Sequence, residues 1–338
     1  MKKLLFAAAV AGVALAGCVS NEAEVSPKAE GRIAFAAPLV SGVTRAYVGE
    51  IKNPYPTEEN FVVSAKYYDN AFDSWNNGQS YMSGVKVVYS AADNAWAPEG
   101  QDYYWPKNGS LTFFAYSPAD YSSWAPAINA DEKLAASAVA VTAANVDLLY
   151  SDLTKDQTKA NYTTNTYYNG VDIKFCHALS SIVFKTRLTS ELNGTTITVN
   201  EVTLSGVSSK GDFEWSLDAD DAPVWSSQSE AAGYTAVSGA GQEVKYGDAV
   251  ELEGANALIL LPQSLTDAVA TVKYTIQNDG GEAIEQTTTV ALADLKYGSQ
   301  ESAEWLPGKR YIYTVNFGLD RIVFAPQVKD WEDVVVSE

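Results

Sequence analysis

From residue 61 onward apolar and polar side chains alternate with a period of two, the spacing that puts every second residue on one face of a strand. In the first half this pattern predicts strands over 61–68, 85–89, 111–116, 128–141 and 148–151, with short aromatic strands marked by Trp96 and by Tyr103-Tyr104-Trp105. Residues 135–144 are rich in alanine, yet the alternation of Val139 and Val141 favours a strand there too. Asn108-Gly109 is a tight-turn signal and predicts a hairpin joining the Tyr103-Tyr104-Trp105 strand to 111–116. In the second half the predicted strands are 171–175, 181–185, 196–204, 211–215, 257–261, 270–276, 287–292 and 311–317. Nowhere does a helical period persist beyond about two turns. The expected class is therefore all-β, as two β-sandwiches in series divided near residues 170–180.

Ahead of residue 61 the pattern is different. Lys2 and Lys3 precede about 13 apolar residues from Leu4 to Ala16, short of the roughly 20 needed to cross a bilayer. The run ends in Leu15-Ala16-Gly17-Cys18, a small-residue cleavage site directly before a cysteine. Residues 1–17 read as a lipoprotein signal peptide and Cys18 as the site of lipidation, where acyl chains worth on the order of 0.8 kcal/mol per buried CH₂ anchor the chain. Residues 19–31 are polar, aperiodic and contain Pro27, as a tether does. Arg32-Ile33-Ala34-Phe35 then alternates and predicts a short strand with Ile33 and Phe35 on one face. The stretch after Pro38, residues 39–46, reads as an exposed linker containing Arg45.

Composition narrows the function. A length of 338 residues exceeds one compact core, which also favours two domains. With 46% hydrophobic and 19% charged residues the chain is globular, and 42 acidic against 23 basic side chains give a formal charge of -19 that repels nucleic acid. One His and two Cys leave little room for a zinc site or a His-based triad, so neither metal nor cofactor is expected. Once Cys18 carries lipid, Cys176 has no partner within the chain; in Phe175-Cys176-His177-Ala178-Leu179 it reads as a buried small hydrophobe. Adjacent strand residues face opposite ways, which disfavours Cys176 and His177 as a nucleophilic pair. Asp218, Asp220 and Asp221 form an acidic cluster without the Gly and distal Glu of a calcium loop, and read as a solvated turn. No phosphate loop or nucleophile elbow is present, so an enzyme is not expected. Trp75, Tyr81, Trp96, Tyr103, Tyr104, Trp105, Tyr121 and Trp124 would form a stacking platform in a surface glycan-binding lipoprotein if exposed, and core or strand-end packing if not.

Several phrases in order carry a family resemblance: Tyr104-Trp105-Pro106 with Leu111-Thr112-Phe113-Phe114-Ala115-Tyr116-Ser117-Pro118, Asp147-Leu148-Leu149-Tyr150, Phe175-Cys176-His177-Ala178-Leu179-Ser180, Leu261-Pro262-Gln263 and Trp305-Leu306-Pro307-Gly308-Lys309-Arg310-Tyr311-Ile312-Tyr313. Together, over about residues 30–338, the chain resembles the fimbrillin family, the Mfa-like type V pilins of Bacteroidales. The resemblance implies a lipoprotein precursor with two transthyretin-like β-sandwich domains: residues 1–17 signal peptide, 18–45 lipidated tether and removable first strand, 46–175 and 176–338 the two sandwiches. It implies a structural and adhesive subunit of a surface fimbria, exported by the lipoprotein machinery to the outer membrane and then incorporated into an extracellular polymer. It also implies an arginine-specific surface protease, whose matching site here is Thr44-Arg45-Ala46, and as partners other fimbrial subunits and a host or bacterial receptor.

The physics of such assembly is independent of the resemblance. Loss of a strand leaves unpaired backbone and an apolar groove, a template for strand addition. About four apolar side chains at about 1.5 to 3 kcal/mol each give a donor strand on the order of 10 kcal/mol before ordering costs. The C-terminal stretch 321–338 holds candidate donors, because Ile322 and Phe324, and again Val334 and Val336, alternate as a donor strand requires. The same alternation equally suits strands that complete the second domain's own sheet.

Overall fold

The computed structural model describes residues 31–40, 51, 55–141, 146–163, 170–217, 222–252, 258–297, 303–318 and 322–331. Its strands begin with β1 (Leu39–Val40), β2 (Phe61–Tyr68), β3 (Gln79–Ser90), β4 (Ala95–Pro98), β5 (Ser110–Ser117) and β6 (Ala127–Ile128). Next come β7 (Lys133–Ala140), β8 (Leu149–Ser151), β9 (Thr154–Gln157), β10 (Lys174–His177), β11 (Ser180–Leu188), β12 (Thr195–Ser216) and β13 (Val224–Glu243). The last are β14 (Val250–Glu251), β15 (Leu258–Leu260), β16 (Val269–Asn278), β17 (Ala283–Ala291), β18 (Lys309–Phe317) and β19 (Ile322–Asp330). Helical structure among the described residues is confined to the five-residue α1 (Lys159–Thr163) and two single 3-10 turns. The chain is all-β, as its period-two pattern predicts.

Three sheets result. The first runs β1-β10-β8-β5-β2-β3-β4, with β9 also on β5. The second runs β14-β11-β18-β19, with β15 also on β11. The third runs β17-β16-β12-β7-β6, and β13 lies along the opposite edge of the long β12.

Alternation fixes which face of each strand is buried. Phe61, Val63 and Ala65 of β2 and Leu111, Phe113 and Ala115 of β5 share one core, while Phe114 of β5 points the other way into a second. On β18, Tyr311, Tyr313, Val315 and Phe317 pack between the second and third sheets, where Val199, Val202 and Leu204 of β12 meet them. The opposite face of β18 is also covered, so its buried Asn316 needs partners: Oδ1 accepts from Arg187 Nε at 2.6 Å, and Nδ2 donates to the carbonyls of Thr314 and Val323. A further core lies where Phe114 and Tyr150 of the first sheet meet Leu134, Phe213 and Trp215 of the third.

The structure departs from the sequence pattern at three places. Tyr103-Tyr104-Trp105 forms no hairpin with β5, because β5 is already flanked by β2 and β8 and the aromatic run pairs with residues 31–33 instead. Gly109 does turn the chain there at φ +73°, against the Tyr68 carbonyl, where a Cβ would lie 2.3 Å from that oxygen. Leu39-Val40 is not an exposed linker: it pairs in parallel with Lys174 and Phe175, which buries Val40 and leaves Leu39 outside. Finally, hydrogen bonding crosses the expected division at residues 175–176, because β7 pairs with Lys210–Ser216 of β12.

Candidate functional site

The first sheet is closed on itself by the segment 31–40. At Phe35 that segment pairs antiparallel with Trp96 of β4 and parallel with Val171, and β1 continues the parallel pairing along β10. Four of its amides donate outward, Ile33 to Tyr103 O, Phe35 to Trp96 O, Ala36 to Val171 O and Leu39 to Ile173 O. In return the amides of Trp96, Trp105 and Val171 donate to the carbonyls of Phe35, Gly31 and Ala34. The segment is thus a strand with neighbours on both sides, and its backbone groups are satisfied by the walls of a slot.

Its side chains fill that slot. Ile33 and Phe35 are fully buried, and the Phe35 ring meets Phe61 and Phe113 edge-on, each at 5.8 Å between centroids. Gly170 lets the segment come close: at φ +90° a Cβ would fall 2.5 Å from the Phe35 carbonyl carbon and 2.6 Å from Ala34 O. At the mouth, Arg32 reaches Asp102 at 2.7 Å and Asp93 at 4.0 Å. Beneath the slot, Tyr55 packs on Phe61, Trp96 and Phe175 and donates its hydroxyl hydrogen to Asn60 O at 2.7 Å. Burial pushes that phenol well above its ordinary range, and burial followed by the nearby Glu58 and Asp147 charges raises the Glu59 carboxyl.

Both anchors flanking residues 41–50 are buried beside β10. Val40 pairs with Phe175, while the Ile51 amide donates to Asp147 Oδ2 at 3.0 Å. The same carboxylate accepts from His177 Nδ1, at 3.1 Å from Oδ1 and 3.0 Å from Oδ2, and the His177 ring stacks on Trp331 at 3.8 Å and 7°. Trp331 directly follows β19, and its amide donates to Gly308 O. The buried Asp147 thus ties the chain beyond residue 50 to the end of the C-terminal strand, through the only histidine of the protein. Cys176 faces the other way, toward the core between the first and third sheets, and is not in a disulfide.

β19 is an edge strand. It pairs along its length with β18, and among the described residues no strand covers its other side. Phe324 and the partly buried Ile322 pack on the core between the second and third sheets, whereas Val323 is exposed. Of the residues singled out in the sequence, Ile33, Phe35, Ile322 and Phe324 are therefore strand residues packed inward. Cys18, Arg45, Ala46, Asp218, Asp220, Asp221, Val334 and Val336 lie outside the described residues. The aromatic set is divided: Trp96, Trp105, Tyr81 and Tyr103 belong to the slot core, and Trp75, Trp124 and Tyr121 to the core between the first and third sheets. All four of its tryptophans are buried and Tyr104 alone is strongly exposed, so the set forms no platform. Sequence reasoning missed Asp93, Asp102, Asp147 and Gly170 as parts of the site. Only Gly170, after Asn169, carried a local turn signal.

Comparison with known proteins adds the following. A family model described as fimbrillin-like matches residues 44–331. No protein of curated function matches. A crystal structure of a fimbrial protein from Bacteroides vulgatus is similar with a TM-score of 0.56 at 17% identity, covering 89% of this chain and 99% of that one. A candidate cell adhesion protein from Bacteroides uniformis is 18% identical over 89% of this chain and 99% of its own, with a TM-score of 0.44. At 17% identity the likeness to the Bacteroides vulgatus structure speaks to the fold.

Proposed function

Because the chain belongs to the fimbrillin-like family, we propose that it is a structural and adhesive subunit of a cell-surface fimbria, made as a lipoprotein and assembled by strand exchange after cleavage at Arg45. The observation that carries this reading is the slot. Residues 31–40 are a two-sided strand of the first sheet, yet their covalent connection to the rest of the fold runs only through residues 41–50, which contain Arg45. Cleavage there separates Cys18, the tether and the slot strand from everything after residue 45. Withdrawal of that strand strips Trp96, Trp105 and Val171 of their acceptors and uncovers the walls around Phe61 and Phe113. A buried donor without a partner costs about 1 to 3 kcal/mol, so the open form favours any extended strand that restores the pairing.

In this reading the role is non-catalytic. The partners are other fimbrial subunits, an arginine-specific surface protease and the lipoprotein export machinery, and the mature form is extracellular. The match to the fimbrillin-like family over residues 44–331 begins beside Arg45 and leaves the slot strand outside, consistent with a retained portion that starts there.

The test is to treat full-length precursor with an arginine-specific protease and follow mass and oligomer size together. Loss of residues 1–45 accompanied by polymers is the expected result, with Arg45→Ala neither cut there nor polymerising. An Arg45→Ala chain that polymerises as readily as the parent would refute the proposal.

A further inference from the structure

Bulges, prolines, lysines and shortness keep a sheet edge from pairing with another chain, and most edges among the described residues carry one of these devices. β1, β6 and β14 are two residues long, and β4 is covered at Trp96 by the segment 31–40. β19 has Pro326 at its centre and Lys329 near its end. β13 is long, but its ladder with β12 shifts register at four points, and its backbone takes a positive φ at Ser227 and Glu230. β17 differs from all of them. It runs nine residues without Pro or Lys, in unbroken register with β16 from Gln277 opposite Ala283 to Val269 opposite Ala291. Among the described residues no strand lies on its other side. From Ala283 to Thr287 every side chain is exposed, and Ile284 keeps 54% of its surface in solvent.

The residues of β17 indicate what pairs there. Ala283 and Ala291 close its two ends, the β-branched Ile284 and Val290 stand one step inside them, and Glu285 to Thr289 between are all polar. The strand is thus nearly palindromic about Thr287. An antiparallel pair is the arrangement in which a strand meets its own reversed sequence. We infer that the β17 edge is a self-association surface. The β17 of a second copy of this chain pairs with it antiparallel, across a twofold axis at Thr287, and joins the two third sheets into one.

Packing and charge select this register. Ile284, Gln286, Thr288 and Val290 share the side of β17 that faces the core, where Val290 packs. With Thr287 on the axis these residues meet one another, so both cores lie on the same side of the joined sheet. The exposed Ile284 is then covered by Val290 of the second copy, Gln286 meets Thr288, and Ala283 meets Ala291. Glu285 is the only charged residue of β17. It faces Thr289, and the two copies of Glu285 stand four residues apart along the strand, about 14 Å and beyond the physiological screening length. Parallel pairing in register would instead set Glu285 beside Glu285, which is destabilising. An antiparallel register centred on Gln286 puts Val290 against Glu282, and one centred on Thr288 leaves Ile284 beyond the end of its partner strand.

One edge ladder is a small interface, so the contact between two isolated chains is weak, and it gains strength only where many copies are aligned. Subunits held in neighbouring polymers meet that condition, which makes β17 suited to side-by-side association of fimbriae. That consequence rests on the function proposed above. The pairing itself needs no cleavage at Arg45.

Disulfide trapping in the unprocessed full-length chain tests the axis, because residues opposite each other in an antiparallel pair lie about 4.5 to 5.5 Å apart between Cα atoms, within reach of a disulfide. With Cys18→Ser and Cys176→Ser as background, Thr287→Cys should oxidise to a reducible homodimer. It should do so about tenfold faster than Thr235→Cys, an exposed threonine on the bulged β13 edge. A charge exchange gives a second readout without cysteine: Thr287→Lys and Thr287→Glu should each weaken dimerisation by about tenfold in sedimentation, and their equal mixture should recover it. Equal oxidation rates at positions 287 and 235, or a mixture that associates no better than either variant alone, would overturn the inference. Either result leaves strand exchange untouched, and failure of the processed chain to polymerise end to end would leave the β17 pairing untouched.

Discussion

Residues 31–40 and β19 are the two ends of the described chain, and they show how much a strand's environment matters beyond its sequence. The first is held between β4 and the Val171 to Phe175 run, and its Phe35 is enclosed by Phe61 and Phe113. The second lies at a sheet edge with Phe324 against the core and Val323 in solvent. Similar alternating residues thus make a sealed closing strand in one place and a peelable edge in the other. The difference shows why the N-terminal segment requires a cut in the chain to be displaced, whereas β19 has only one ladder to give up.

The largest expected effect separates the two phenylalanines. In the precursor Phe35→Ala should cost about 3 to 5 kcal/mol in denaturant unfolding, and Phe324→Ala less, because Phe324 keeps 9% of its surface exposed where Phe35 keeps none. Equal losses would break the comparison. Asp147→Ala comes next: it strands the Ile51 amide and His177 inside the fold and should cost about 2 to 4 kcal/mol, read by the same melts. Gly170→Ala should cost about 1 to 3 kcal/mol from its positive φ and its contact with Ala34 and Phe35, and should loosen the slot strand while β19 stays in place. Limited proteolysis of the two ends distinguishes these responses.

Alkaline pH acts on both regions through buried phenols. Burial raises Tyr55 beneath the slot and Tyr313 of β18, the strand paired with β19, and it pushes Tyr297, which hydrogen-bonds to Tyr313, up to about 12. Above the ordinary phenol value of about 10 the unfolded chain loses these protons while the native chain keeps them, so stability falls as pH rises. Tyr55→Phe should flatten that fall for the slot and Tyr313→Phe for the second sheet, as measured by melting between neutral and alkaline pH. The smallest effect is expected for Arg32→Ala, about 1 kcal/mol or less, since the pair with Asp102 is partly exposed.

Legibility in the sequence followed the range of the interactions. β2, β16 and β18 announce themselves because alternation is local, and Ile33 and Phe35 were legible as a strand for the same reason. What Tyr103-Tyr104-Trp105 pairs with was not, because its partner lies some seventy residues earlier and Asn108-Gly109 offered a nearer, wrong one. Leu39-Val40 looked like a linker since parallel pairing with β10 leaves no mark on two residues. The same holds for the site. The strand that fills the slot could be read, but Asp102 at its mouth, Gly170 at its back and Asp147 beyond it acquire their roles only from what the fold brings to them.

The claim that residues 31–40 are an exchangeable closing strand is tested most directly by amide hydrogen exchange at Trp96, Trp105 and Val171, the groups that donate to that strand. They should be protected in the precursor, exchange rapidly in processed monomers that have lost the segment, and regain protection in the polymer. Protection at these three amides that persists in the processed monomer would contradict the account, because the slot would then close without a strand to fill it.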